Sequence, residues 1–234
     1  MEWSEVLTRQ PVRLHLGGAG LCEPHPNYRG YVAVDLSPRE GTWGVRHDLR
    51  EPLPIPDGSV DRLHSEDFIE HLERPALARL LAEAYRVLRS GGMMRIGCPD
   101  YDNPKDRAYA AKGYDDRYPL HVTFTTAALI RELIEASPFT RYDVLAHWDR
   151  DRFISRPIDY ALGYVRRTPD NDIRCRIFRA GDTLPVNLAR WVKITAQDLA
   201  YAGRRGFRVS RAEMLSRPDR RWHVTSLVID LFKD

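Results

Sequence analysis

Cysteine is scarce in this chain, which has only Cys22, Cys98 and Cys175 among 234 residues. Three widely spaced thiols argue against a disulfide framework or a zinc knuckle. No two histidines stand at HExxH spacing, so the sequence predicts no metal site. It also lacks any run of about 18 apolar residues, and we expect no membrane span. The opening residues, MEWSEVLTRQ, are not those of a secretory signal, which makes a cytoplasmic location the expectation.

Basic residues are concentrated in one part of the chain, although the formal net charge is only +3. Residues 151–221 contain 16 Arg or Lys and 8 Asp or Glu. This basic segment has two possible explanations. It could bind an anionic substrate, such as a phosphorylated sugar, a nucleotide-sugar or RNA, or it could be simply a solvated surface. With 43% hydrophobic and 29% charged residues, the chain is typical of one α/β domain with an added segment.

Short apolar runs alternate with helical patterns through the first half. The runs are Val12–Leu16, Tyr31–Leu36, Val60–His64 and Met93–Cys98. Apolar residues repeat at helical spacing over Pro75–Leu88 and over Thr126–Ala136, where Thr125 or Thr126 suits the N-cap. Strands separated by helices predict a mostly parallel, Rossmann-like sheet with helices on both faces.

The second half is less regular. A strand is predicted at Tyr142–Ala146, and clean periodicity is then lost from about residue 149 to 218. Within this stretch, Thr195 and Asp198 resemble an N-cap pair before a short helix that ends at Ala202. Because Val224–Phe232 again has a strong strand pattern, residues 149–218 are interpreted as an insertion or lid within a single domain of residues 1–234.

The chain turns on glycine directly after the first apolar run. In LHLGGAG, Gly17, Gly18 and Gly20 permit unusual dihedral angles and a close approach of the backbone to a ligand. In a doubly wound sheet this is the carboxyl edge of a strand, where ligands bind. On these residues alone, a tight turn without a ligand is an equally good explanation.

Two acids follow at positions that suit adenosine. Asp35 ends the second run and can accept both hydrogen bonds of a ribose diol; its alternative role is to cap the turn before Ser37-Pro38. Asp48 precedes Leu49, and this pair suits adenine, since the acid accepts from the exocyclic amine while the leucine covers the ring.

Four segments together resemble the class I S-adenosylmethionine-dependent methyltransferases. In order they are LHLGGAG, YVAVDLSP, HDLREPLPIPDGSVDRLHSEDFIEHL and EAYRVLRSGGMMRIGCPD. The resemblance is narrower to short methyltransferases associated with polysaccharide biosynthesis, and it covers residues 12–139. GYVRRTPDNDIR and TSLVIDLFK are similar to the tail of that group.

The resemblance implies a seven-stranded Rossmann-like sheet and S-adenosylmethionine as the methyl donor. Gly17, Gly18 and Gly20 would line the methionine and ribose part, and Ser65 and Glu66 would lie beneath the sulfonium end of the donor. The full set of donor-binding residues implied by motif is Gly17, Gly18, Gly20, Asp35, Leu36, Asp48, Leu49, Ser65 and Glu66. The chain departs from the family pattern at His15, which replaces an acid, and in a first connection too short for a full helix.

His121 is the candidate catalytic residue. It precedes a helix expected to cover the carboxyl edge, and an imidazole is suited to take the proton of an acceptor hydroxyl. Its alternative role is a packed, hydrogen-bonded loop residue. The remaining candidates for contact with an acceptor are His71, Tyr114, Tyr118, Tyr164, Arg166, Arg167 and Arg174, with arginine suited to phosphate.

The leading hypothesis is methyl transfer to a small polar acceptor, a hydroxyl of a saccharide or of a nucleotide-linked sugar. RNA methylation is an alternative, but no RNA-binding signature supports a nucleic-acid partner. A second alternative is a non-catalytic subunit that binds S-adenosylmethionine or a protein partner. The insertion is expected to form either a lid or a homodimer contact.

Overall fold

An eight-stranded sheet forms the centre of the computed structural model. The structure describes residues 1–18, 28–104, 106–150, 152–165, 168, 183–209, 214 and 226–234. The strands are β1 (Arg13–Leu16), β2 (Val32–Asp35), β3 (Gly44–Arg46), β4 (Val60–Glu66), β5 (Leu88–Pro99), β6 (Arg141–Asp149), β7 (Arg152–Ser155) and β8 (Ser226–Phe232).

The strand order is β3-β2-β1-β4-β5-β8-β6-β7. Strands β1 to β5 are mutually parallel, whereas β8 is antiparallel to both β5 and β6. The order reverses between β1 and β4, and in such sheets ligands bind at the carboxyl edge near this point. The Rossmann-like prediction is confirmed. The eighth strand, β7, extends the expected seven because residues 152–155 pair with the end of β6.

Five helices are present among the described residues: α1 (Trp3–Leu7), α2 (Arg74–Val87), α3 (Arg107–Lys112), α4 (Ala127–Glu135) and α5 (Leu184–Arg204). The apolar stripe predicted for α2 is buried, with Leu77, Leu81 and Val87 inaccessible to solvent. The hydroxyl of Thr126 accepts a hydrogen bond from the backbone N–H of Leu129 at 3.1 Å and caps α4, as predicted. Both helices pack in the main hydrophobic core.

The short helix predicted to follow Thr195 is wrong. Thr195 and Asp198 lie in the interior of α5, which runs unbroken over 21 residues from Leu184. Once a helix has begun at Leu184, each further residue adds a backbone hydrogen bond, so propagation through Thr195 outweighs the local capping signal. Despite its length, neither α5 nor any other helix in the described residues is apolar enough to cross a membrane. The stretch proposed as an insertion also begins within the sheet, as β7.

A row of polar side chains crosses one face of the sheet. Strand register places His15, His64, Arg95 and Asp230 side by side on β1, β4, β5 and β8. All four are buried, the most exposed being Asp230 at 3%. Burial, followed by the neighbouring His15 and Arg95, holds the pKa of His64 well below its ordinary value. His64 is therefore neutral near pH 7.

Arg95 connects this face to the segment before Val165. Its Nε and Nη2 donate to the two carboxylate oxygens of Asp230, each at 2.7 Å, and its Nη1 donates to the carbonyls of Asp159 and Gly163. A Cβ on Gly163 would lie 2.9 Å from Nδ1 of His64, so only glycine lets the backbone approach so closely. The Arg95–Asp230 ion pair, together with the bonds from Arg95 to the two carbonyls, thus holds both β8 and residues 159–163 against the sheet.

Asp100 follows the carboxyl end of β5 and ties it to β6. Its Oδ2 accepts from the backbone N–H of Trp148 at 2.6 Å, and its Oδ1 accepts from that of Asp102 at 3.0 Å. Burial raises the pKa of Asp100 to about 7, and the two backbone N–H groups oppose this rise only in part. The folded protein therefore binds the Asp100 proton more tightly than the unfolded chain does.

Asp230→Asn is expected to lower the free energy of unfolding by about 3–5 kcal/mol, because it leaves the buried Arg95 charge without its counter-ion. Urea denaturation would measure this loss. Asp143→Asn is the matched control, since Asp143 is the register neighbour of Asp230 on β6 but forms an exposed pair with Arg156 at 3.8 Å. The control should change stability by less than about 1 kcal/mol. Equal losses in the two variants would contradict a special role for the buried pair.

Asp100→Asn should change how stability depends on pH. In the wild type, ionisation of Asp100 begins near pH 4 in the unfolded chain but only near pH 7 in the folded protein. The contribution of protonated Asp100 to the free energy of unfolding is therefore complete below pH 4. It is lost as the pH rises to about 7, and the loss amounts to up to about 4 kcal/mol. The unfolding free energy of the variant relative to wild type should rise across this window. Parallel pH profiles would refute the raised pKa.

Candidate functional site

A cleft opens at the carboxyl edge of β2, β3 and β4, next to the point where the strand order reverses. Its cavity volume is about 240 Å³, just below the usual range of small-ligand sites. Its lining residues are Asp35, Leu36, His47, Asp48, Leu49, Arg50, Phe68, His71 and Leu72. Four residues that the sequence assigned to the donor, Asp35, Leu36, Asp48 and Leu49, therefore line the same cleft.

Asp35 is the last residue of β2 and is half-buried. Its Oδ1 accepts from the backbone N–H of Ser37 at 2.8 Å, which is the turn-capping role considered above. This single bond holds the carboxylate in the cleft wall and leaves its second oxygen available for a ligand. The two roles proposed for Asp35 are thus compatible in the same rotamer.

Asp48 is held by Arg50. The Nε of Arg50 is 3.0 Å from Oδ1 of Asp48, and its Nη2 is 2.5 Å from Oδ2. These bonds lower the pKa of Asp48 to about 2, so the carboxylate is charged at neutral pH. Leu49 is 5% exposed and supplies apolar surface beside this ion pair. An acceptor next to an apolar wall fits the edge and the face of an adenine ring.

Gly17 and Gly18 are not among the residues that line the cleft, but Gly17 lies against Phe68, which is. The φ of Gly17 is +70°, and a Cβ there would stand 2.2 Å from Cγ of Phe68. A Cβ on Gly18 would stand 2.7 Å from Cγ of His15. No side chain fits at either position, because Phe68 and His15 occupy the space, so glycine lets these rings pack directly on the backbone. Gly20 lies outside the described residues.

Ser65 and Glu66 end β4, but they do not line the cleft. Both are buried, and Oε2 of Glu66 accepts a short hydrogen bond from the hydroxyl of Tyr28. The ring of Tyr28 stacks on His15 at a centroid distance of 4.8 Å. His15, at the place where the family has an acid, is thus part of a buried aromatic contact over β1 and β4.

His121 lies behind His71 and is not among the residues that line the cleft. The rings of His71 and His121 meet edge to face with centroids 4.9 Å apart. Nδ1 of His121 is 2.6 Å from the hydroxyl of Tyr101, which donates to Asp115 at 3.2 Å. Asp115 is itself paired with Arg117 at 2.7 Å. The imidazole is therefore held in one orientation by a buried network.

Glu70 completes a cluster with these two histidines. Its carboxylate is 1% exposed, and Oε1 lies 3.9 Å from Nε2 of His121. One ligand atom from each of Glu70, His71 and His121 falls within 4.8 Å of the others, a set that could hold a metal ion. Local spacing could not predict this set, because His121 is 50 residues away from His71 in sequence.

The other candidates for acceptor contact are dispersed. Tyr118 stacks on His121 with centroids 4.9 Å apart, whereas Tyr114 is 60% exposed in the preceding loop. Tyr164 packs instead against Tyr28 and the opposite face of the sheet. Arg166, Arg167 and Arg174 lie outside the described residues.

Several site residues were not found from the sequence. Phe68, His47, Arg50 and Leu72 line the cleft, and Tyr101 and Glu70 hold or face His121. Leu72 is the leucine of EHL, and Phe68 stands two residues before that motif in SEDFIEHL, so their nearness to His71 in sequence was a usable signal. Tyr101 follows the PD of the fourth motif, and only its three-dimensional contact with His121 reveals its role.

Comparison with known proteins identifies the domain. Residues 17–96 match the family described as a methyltransferase domain. A probable S-adenosylmethionine-dependent methyltransferase of Mycolicibacterium smegmatis is 34% identical over 102 residues, which cover 43% of this chain and 37% of that protein. An uncharacterized 37.1 kDa protein in a transposon of Streptomyces fradiae is 47% identical over 51 residues, or 22% of this chain and 14% of that protein. The chain therefore spans at most 37% of the length of either relative.

The fold is shared over most of the chain with a solved protein. An S-adenosylmethionine-dependent methyltransferase from Archaeoglobus fulgidus superposes with a TM-score of 0.52 and 15% identity, covering 94% of this chain and 85% of that one. Residues 17–96 thus resemble a methyltransferase domain, and the chain shares the fold of an S-adenosylmethionine-dependent methyltransferase.

Proposed function

We propose that this chain transfers a methyl group from S-adenosylmethionine to a hydroxyl of a small polar acceptor, a saccharide or a nucleotide-linked sugar. One observation carries the proposal: the cleft with the adenosine-type wall extends to His71, whose ring contacts the ordered imidazole of His121. A donor site and a proton acceptor are thereby neighbours.

At the donor end, each part of the wall has a distinct task. The second oxygen of Asp35 accepts from the ribose hydroxyls, and the exposed edge of Asp48 accepts from the adenine amine. Leu49 covers the ring, and the Gly17–Gly18 backbone, with Gly20, receives the methionine part. Ser65 and Glu66 support this end from below, through the contact between Glu66 and Tyr28.

At the acceptor end, His121 receives the proton. The Asp115 carboxylate can only accept, so the Tyr101 hydroxyl donates to it and in turn accepts from the Nδ1–H of His121. This leaves the lone pair on Nε2, which takes the acceptor's hydroxyl proton as the oxygen attacks. The cofactor supplies an electrophilic methyl group, whose bond to sulfur breaks with both electrons remaining on the sulfur. Positioning in line with that bond provides most of the acceleration.

The acceptor itself is held by the residues around His121. Tyr118 covers one face of the imidazole and, with Tyr114, presents hydroxyls and ring faces that suit a sugar. His71 separates the two ends of the cleft. Arg166, Arg167 and Arg174 are assigned to an anionic part of the acceptor, and the 149–218 region to a lid or a contact between two copies; Tyr164, which packs against Tyr28, is not assigned to the acceptor. The assignment of arginines to an anionic group is based on the excess of basic residues in 151–221.

Donor binding tests the first half of the proposal. Calorimetry with S-adenosylmethionine and S-adenosylhomocysteine should show one site, and Asp35→Ala should weaken both by about 10- to 100-fold, since a hydrogen bond to a charged group is lost. His121→Asn is the matched control and should bind both as the wild type does. If neither compound binds to the wild type, the enzymatic proposal fails.

Transfer of labelled methyl groups tests the second half. Sugars, sugar phosphates and nucleotide-sugars are offered with labelled S-adenosylmethionine, and a methyl ether is the expected product. His121→Asn should reduce kcat about 10²- to 10⁴-fold with little change in donor binding, because only the proton acceptor is removed. Labelling of amines instead of hydroxyls, or an unchanged kcat in His121→Asn, would contradict the assignment.

A further inference from the structure

We propose that Glu70, His71 and His121 form a binding site for a divalent transition-metal ion with the ligand preferences of Zn²⁺ or Co²⁺. Two imidazoles and one carboxylate are a known ligand set for such ions, and they leave a coordination position open. One ligand atom from each residue lies within 4.8 Å of the other two. The site goes beyond methyl transfer, because nothing in the donor cleft requires a metal.

The fold assembles this cluster through the backbone. Glu70 and His71 are consecutive in the short 3-10 turn Ile69–His71 that follows β4. The backbone N–H groups of Val122 and Thr123 both donate to the carbonyl of Glu70, at 2.9 and 3.0 Å. These bonds dock the loop that carries His121 directly on the turn that carries the other two ligands.

Each imidazole is already oriented through its other nitrogen. Nδ1 of His71 is 2.9 Å from the carbonyl of Leu120, so a neutral ring donates there and keeps its lone pair on Nε2. Nδ1 of His121 is bonded to Tyr101, which in turn is bonded to Asp115. Carbonyl and carboxylate partners of this kind fix the tautomer and raise the basicity of metal-binding histidines.

Charge and spacing both favour an ion here. The Glu70 carboxylate is 1% exposed, and a bound cation offsets the cost of burying its charge. Its Oε1 is 3.9 Å from Nε2 of His121, too far for a hydrogen bond. In a tetrahedral site with bonds of about 2.0–2.1 Å, two ligand atoms stand about 3.3 Å apart, so small side-chain rotations close the site.

The exposed ring of His71 supplies the route of entry. It lies on the wall of the donor cleft, whereas Glu70 and His121 lie behind it. An ion at this position takes the lone pair of His121 that the proposed function assigns to the acceptor's proton. Metal and proton therefore compete for one nitrogen, and metal occupancy suppresses proton transfer by His121.

Calorimetry with Zn²⁺ on the full chain, freed of metal by a chelator, tests the site. One ion per chain is expected, and His71→Ala and Glu70→Gln should each weaken binding at least about 100-fold, more than the loss of an outer partner would. Thermal melting confirms that each variant is folded. His47→Ala is the matched control, since His47 lines the same cleft outside the cluster, and it should bind Zn²⁺ as the wild type does.

Cobalt substitution gives a second readout. Co²⁺ bound by two imidazoles and a carboxylate should give visible absorption bands that disappear in His71→Ala and persist in His47→Ala. Absence of stoichiometric Zn²⁺ binding, or binding that survives in both cluster variants, overturns the metal site. S-adenosylhomocysteine binding measured on the same samples tests the proposed function separately, because the donor wall at Asp35 and Asp48 shares no ligand with the cluster.

Discussion

The buried ion pair between Arg95 and Asp230 is the constraint on which the centre of the sheet depends. It joins β5 to the antiparallel β8, and the remaining guanidinium nitrogen binds two carbonyls of the segment before Val165. Desolvating both charges is expensive, and geometry in which all three guanidinium nitrogens donate hydrogen bonds offsets that cost. The opposite face is occupied by the apolar core with α2 and α4, so the sheet has one face held by polar contacts and one by packing.

This division leaves the carboxyl edge free for chemistry. Parallel strands β2, β3 and β4 all end there, and short connections carry Asp35, Asp48 and Phe68 into one cleft. The loop before α4 is docked on the turn after β4 by two backbone hydrogen bonds, which brings His121 against His71 in the cleft lining. The proximity of the proposed donor and acceptor ends thus follows from strand order and loop docking and not from any single motif.

Much of this arrangement was predictable from local sequence. The parallel strands, the apolar stripe of α2, the Thr126 cap and the shared position of Asp35 and Asp48 all follow from short patterns or motifs. Features that depend on contacts between residues distant in sequence could not be predicted in this way. Glu70 meets His121 across 51 residues, Tyr101 gains its role by contact with His121, and β7 exists because the end of β6 offers an unpaired edge. In α5, the capping signal at Thr195 was misleading because helix propagation from Leu184 prevailed.

The pairing of Asp48 with Arg50 affects what the cleft can discriminate. The Asp48 carboxylate carries its own counter-ion, so at this residue the cleft presents hydrogen-bond acceptors with little net charge. In the proposed donor site, a cationic sulfonium and a neutral thioether with the same nucleoside would meet the same environment at Asp48. Selection of fresh donor over spent product, and hence the extent of product inhibition, would then fall to the sulfur end of that site.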